Sequence, residues 1–115
     1  ITFSLNYTNG SYDEAPHLDQ RNKILVGLIY LDDTNSNDSS NLIFWENKSS
    51  NLNYDQSLYI KDSDLSEFKN VQQKRNRLVL FKNDNNAIHS AKGNLKGKRR
   101  FIYFSIVSSR QINLY

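Results

Sequence analysis

The 115-residue chain has no cysteine, which excludes disulfides, thiolate metal sites and a cysteine nucleophile. That fits a reducing compartment, and a cytoplasmic location is expected. Methionine is missing too, even at position 1, which leaves open that residues 1–115 are a fragment whose supporting elements lie upstream. No apolar run approaches the length that crosses a bilayer and no signal peptide is visible, so no membrane partner is expected. Apolar residues make up only 37% of the chain and the mean hydropathy is −0.71, thin for a packed core. Seven Tyr, six Phe and one Trp offset this, because each aromatic buries a large area. The length suits one domain, and neither an internal repeat nor a linker is visible.

Asparagine, serine and positive charge are what the chain has in plenty. The net charge is +3 and the pI about 9.2. Much of the excess lies in "KGNLKGKRR", residues 92–100. Such a cluster can meet nucleic acid or another anion, but a solvated loop is the simpler account. Asn-x-Ser/Thr triplets begin at Asn6, Asn9, Asn37 and Asn47. Chance in an Asn- and Ser-rich chain explains them better than secretion does.

Apolar segments are short and separated by Asn, Asp, Ser and Lys clusters, the pattern of many strands joined by turns. "ITFSLNY" (1–7) alternates and reads as a strand. "KILVGLIYL" (23–31) is apolar on both faces and reads as a central strand covered on both sides. "LIFWE" (42–46), "RLVLFK" (77–82) and "RFIYFSIV" (100–107) are further strands, and "DDTNSNDSSN" is a polar loop. Only "KDSDLSEFKN" offers a helix, capped by Asp62 or Ser63, although "EFKNVQQ" reads equally as a strand. The class is all-β, a sandwich or jelly roll.

Both histidines of the chain sit in informative places. His17 and Asp19 stand in "PHLD", just before the longest apolar run, and His89 follows the apolar "RLVLF". On an extended segment residues i and i+2 point to the same side, so His17 and Asp19 can offer a nitrogen and a carboxylate oxygen to one point. If the sheets fold over each other, His89 can join them. Two His and one carboxylate on one face of an octahedral metal leave three positions open, the arrangement of non-haem Fe(II) oxygenases. Blander accounts stand beside this: a solvated loop with a turn-forming Asp, and a loop or strand-end histidine at position 89.

The order of these features resembles the Fe(II)- and 2-oxoglutarate-dependent oxygenases of the prolyl 4-hydroxylase type. The resemblance covers nearly the whole chain. "HLD" (17–19) matches the first two metal ligands, "ILVGLIYLDD" the strand that follows, and "NLIFWEN" and "NRLVLFKND" two later strands. "IHSAKG" supplies the distal histidine, His89, and "KGKRRFIYFSIV" resembles the closing strand. The chain departs from the pattern at Ser39, Ser40 and Asn41, where a Gly-Gly is usual, and at Asn76, where a Gly is usual. Asn tolerates positive φ better than most residues, so the second turn is expected to survive.

What the resemblance implies is specific. The fold would be an all-β double-stranded β-helix, a cupin-like jelly roll, here without N-terminal supporting helices. His17, Asp19 and His89 would hold Fe(II) and form the catalytic centre. The co-substrate 2-oxoglutarate would chelate the iron, its far carboxylate meeting Arg100 directly before Phe101, with Arg99 as the fallback. Arginine suits that task because its planar fork pairs bidentately with a carboxylate and stays charged. Tyr30 would add its hydroxyl there, and Tyr7 would line the same pocket. With Arg100 inward, Ile102, Phe104 and Ile106 share its face.

The implied reaction consumes O2 and 2-oxoglutarate, releases succinate and CO2, and hydroxylates a C–H bond, with ascorbate as a stimulant. A prolyl residue in a peptide or protein is the first expectation for substrate, a small molecule the second. Asp19 argues against halogenating relatives, in which a halide replaces the carboxylate. Nucleic acid is not expected: the dealkylases of this fold carry a second Arg along the last strand, where Ser105 and Ile106 stand here. A non-catalytic jelly-roll binding module is the reading from a different class.

Overall fold

A computed structural model describes residues 1–9, 12–33, 41–48, 60, 64–93 and 98–109. It contains β1 (Thr2–Asn9), β2 (Tyr12–His17), β3 (Lys23–Tyr30), β4 (Asn41–Asn47), β5 (Leu65–Gln72), β6 (Leu78–Lys82), β7 (His89–Gly93) and β8 (Lys98–Val107). These form two antiparallel four-stranded sheets, ordered β1-β8-β3-β6 and β2-β7-β4-β5. The architecture is all-β and compatible with a sandwich or jelly roll. None of the described elements is an α-helix, and no helix there is long and apolar enough to cross a membrane.

Two apolar clusters hold the sheets together. Val26, Leu28 and Leu42 are buried with Phe44, Val71, Val79, Phe81, Phe101 and Tyr103 packed around them. Leu18, Leu65, Ala87 and Ile88 form the second cluster, flanked by Trp45, Ile60 and Phe81. Phe81 touches both, so it joins the two halves of the core. Its neighbour Phe44 meets it edge-on at 5.1 Å, the geometry aromatic quadrupoles prefer.

The strands read from alternation are present, one open alternative is settled, and one expectation is met only in part. Residues 65–72 of the ambiguous "KDSDLSEFKN" region are strand β5, paired with β4 and anchored by buried Leu65; the proposed caps Asp62 and Ser63 lie outside the described residues. The run at 23–31 is central, as expected, but only one of its faces is fully covered. Val26, Leu28 and Tyr30 are buried, while Leu25 and Ile29 remain partly exposed. Gly27 is buried because the Phe104 ring from β8 lies across it, in the space a side chain would fill.

Two local devices position the site. Asn76 takes φ 62° in the turn between β5 and β6, so the Asn that stands for glycine does adopt the left-handed conformation. Its amide donates to the Tyr30 carbonyl, tying that turn to the end of β3. At the other end, the fully buried Asn83 donates from Nδ2 to the carbonyls of Gln20 and Lys23. That staple fixes the 18–23 segment, which carries Asp19.

A candidate metal centre between the sheets

Strand β2 ends at His17, and its partner β7 begins at His89; the two residues lie directly opposite in the antiparallel register. Cross-strand neighbours of this kind are close enough for their side chains to meet. The imidazole centroids are 4.5 Å apart. Leu18 turns away and is fully buried in its core cluster, so His17 and Asp19 face the same side. The three ligand atoms of His17, Asp19 and His89 all lie within 4.8 Å of one another, and this group can hold a metal ion.

The surroundings favour metal-ready tautomers. His17 Nδ1 lies 2.8 Å from the Ala15 carbonyl oxygen, and His89 Nδ1 lies 2.8 Å from that of Ala87. A carbonyl can only accept, so Nδ1 carries the proton on both rings and Nε2 presents its lone pair. Those Nε2 atoms stand 3.7 Å and 4.0 Å from Asp19 Oδ1. The other carboxylate oxygen, Oδ2, accepts a hydrogen bond from Tyr103 at 3.1 Å and faces Lys23 Nζ at 3.6 Å. One oxygen is thus oriented by the protein while the other is left for the centre, the arrangement by which outer partners tune a ligand.

Charge follows the same plan. Burial would raise the Asp19 carboxyl, but His17, His89, Lys23 and Tyr103 together hold it down at about 2. It is therefore an anion at any ordinary pH. Burial pushes the His89 imidazole down, against the pull of Asp19. Burial works the same way on His17, yet its contacts with Asp19, Ala15 and Glu14 outweigh it and leave the ring raised. Burial and the Asp19 charge push the Tyr103 phenol up, so it stays a donor.

The centre opens into a cleft of about 370 Å³ between the sheets. Arg99 lines it and is only 4% exposed, its guanidinium 4.4 Å from the Phe101 ring and 5.7 Å from that of Tyr30. Arg100 does not reach the cleft. It faces outward and pairs with Asp32, Nη2 to Oδ1 at 2.7 Å. The inward arginine is the fallback of the sequence reading, and the face shared with Ile102, Phe104 and Ile106 is the outer one. Tyr30 is fully buried beneath Arg99, and its hydroxyl makes no hydrogen bond of full geometry. Tyr7 is 55% exposed on the outer face, opposite Arg100, and so stands apart from the cleft. Asn6 and Ser4 take the inward positions on β1 instead.

Tyr103, Lys23 and Glu14 belong to the site and were not singled out in the sequence. Tyr103 was reachable by parity alone: residues 99, 101 and 103 share a face of β8. Lys23 and Glu14 needed the tertiary fold. No protein-family model, curated protein or solved structure matches the chain.

Proposed function

We propose that the protein is an Fe(II)- and 2-oxoglutarate-dependent dioxygenase that hydroxylates a C–H bond. One observation carries this: His89, some seventy residues away in sequence, meets His17 and Asp19 in a cleft that also holds a buried arginine. The strand pairing supports it. Strands 1 and 8, 2 and 7, 3 and 6, and 4 and 5 pair antiparallel, and 3 with 8 and 4 with 7 pair again. This pairing supports a double-stranded β-helix, the jelly-roll form that the reading expects.

In this reading His17, Asp19 and His89 hold the iron, which supplies the oxidising chemistry when 2-oxoglutarate and O2 are present. The chain's own residues do the rest. His17 and His89 keep their Nε2 lone pairs inward because Nδ1 is committed to a carbonyl. Tyr103 and Lys23 fix the Asp19 carboxylate through its second oxygen. Arg99 replaces Arg100 as the residue that binds the far carboxylate of 2-oxoglutarate, with Tyr30 beside it. A guanidinium held over aromatic rings is pre-oriented and partly desolvated, which strengthens a bidentate pair. Val26, Leu28 and Phe101 give the cleft the apolar part of its wall.

The substrate proposal, a prolyl residue in a peptide or protein, rests on the sequence resemblance, as does a role for ascorbate; a cytoplasmic location rests on the absence of cysteine. The test is direct. Anaerobic addition of Fe(II) and 2-oxoglutarate should give a weak visible charge-transfer band, and admitting O2 should then release succinate. A protein that binds Fe(II) but shows neither signal is a metal-binding module without turnover. Screening peptides and free amino acids by coupled succinate release identifies the substrate class.

A further inference from the structure

A fourth acidic group stands at the centre. Glu14 Oε1 is 3.5 Å from His17 Nε2, nearer to that nitrogen than Asp19 Oδ1 at 3.7 Å. The Ala15 contact is made by the other ring nitrogen, Nδ1. In a regular strand residues 14 and 17 would point to opposite faces. Here they do not, because the β2–β7 register shifts between Glu14 and His17: Glu14 pairs with Ala91 and His17 with His89, three steps on one strand against two on the other. A bulge of this kind re-aims a side chain. Pro16, with no amide hydrogen to give to the ladder, sits inside it. Its carbonyl is used instead, accepting from the Ile60 amide. Glu14 and His17 consequently line the same cleft together with His89 and Ala91.

We propose that Glu14 is a fourth protein donor to the metal centre, completing a two-histidine, two-carboxylate set for a divalent cation. This rests on the reading of His17, Asp19 and His89 as a metal centre. Glu14 lies outside the closest cluster of three ligand atoms, and its side chain is 51% exposed. It can therefore swing onto the ion by rotating its free χ angles, at little expense. The same freedom lets it leave when another anionic ligand arrives. An incoming 2-oxoacid then competes with Glu14 for one coordination position.

The probe is Co(II) added to the metal-free full chain, followed by titration calorimetry and by its visible d–d spectrum. Glu14→Gln and Glu14→Ala are compared with wild type, with His17→Ala as the control for the centre itself. Both Glu14 variants should weaken Co(II) binding, of order ten- to a hundred-fold. Both should also change the d–d band positions and intensities, since a donor is lost. Unchanged affinity overturns the proposal. So does weakened affinity with an unchanged spectrum, which makes Glu14 a nearby charge and not a ligand. If His17→Ala keeps wild-type binding and spectrum, the metal centre itself is misplaced, an outcome distinct from failure of Glu14 alone. Thermal melts of the metal-free variants should superimpose on wild type, because a half-exposed side chain contributes little to the fold.

Discussion

The two faces of the β1-β8-β3-β6 sheet reverse the ordinary relation between polarity and burial. The outer face carries Phe3, Leu5 and Tyr7 on β1 and Leu78 and Leu80 on β6, each more than half exposed. The inner face carries Ser4 and Asn6 on β1, and Arg99 and Ser105 on β8, the latter two almost fully buried. In most two-sheet proteins one sheet face packs apolar groups and the other is solvated. Here the inward face is partly polar because it lines the cleft that holds His17, Asp19 and His89. The lesson is that hydropathy alternation marks which residues share a face, but not which face is inside.

Breaking the inner face should have the largest effects. His17→Ala or Asp19→Ala is expected to abolish metal binding, measured as loss of the melting-temperature rise that a divalent cation gives the wild-type protein. Retained metal stabilisation in either variant would falsify the assignment of the centre. Next comes the arginine pair. Arg99→Ala should weaken 2-oxoglutarate binding to the Fe(II) form roughly 10- to 100-fold, the range for losing a charge-assisted bond. Arg100→Ala should leave it within about two-fold, since only a surface pair with Asp32 is lost. The opposite ranking would reinstate Arg100. Tyr103→Phe removes the donor to Asp19 Oδ2 and should lower metal affinity about ten-fold, read by calorimetry.

Stability gives a smaller-scale version of the same contrast. Leu28→Ala on the inner face should destabilise by about 2–5 kcal/mol in urea unfolding, the range for emptying a buried leucine site. Leu5→Thr on the outer face should change stability by about 0.5 kcal/mol or less while reducing dye binding to exposed apolar surface. Equal costs at the two positions would mean that something covers the outer face in solution. The Asp19 carboxyl, held at about 2 against an ordinary 3.8, has its folded-state pKa depressed. Its contribution is therefore complete above the ordinary value and is lost as pH falls through about 2. Metal-free wild type should lose about 2 kcal/mol across that window, and Asp19→Asn should flatten this part of the acid-unfolding profile.

Much of the fold was legible. Strands β1, β3, β4, β6 and β8 stand out because their apolar or alternating runs end in Asn, Asp and Ser clusters. Strands β2 and β7 are polar and short, with "YDEAPH" and "HSAKG" carrying no alternation that marks a strand. They are held by pairing, β2 with β7 and β7 with β4. The grouping of His17, Asp19 and His89 was legible because His17 and Asp19 obey the period-two rule and the chain holds only one other histidine. Arg100 and Tyr7 were misplaced for one shared reason. Both were carried over from the family resemblance by their place along the chain, which does not say which face of a strand is inside, and the fold puts both on the outer face.

The chain alone specifies that it is all-β, that Cys chemistry is impossible, and which residues share a side on each strand. These follow from local rules: a period of two, turn residues, and the donor types present. Only the tertiary structure decides which side is inside, because that depends on what the opposite sheet presents. It also decides that the second histidine lands opposite the first, and that a bulge at Pro16 turns Glu14 to the same point. A register shift of one residue is invisible to composition and reverses every side chain beyond it.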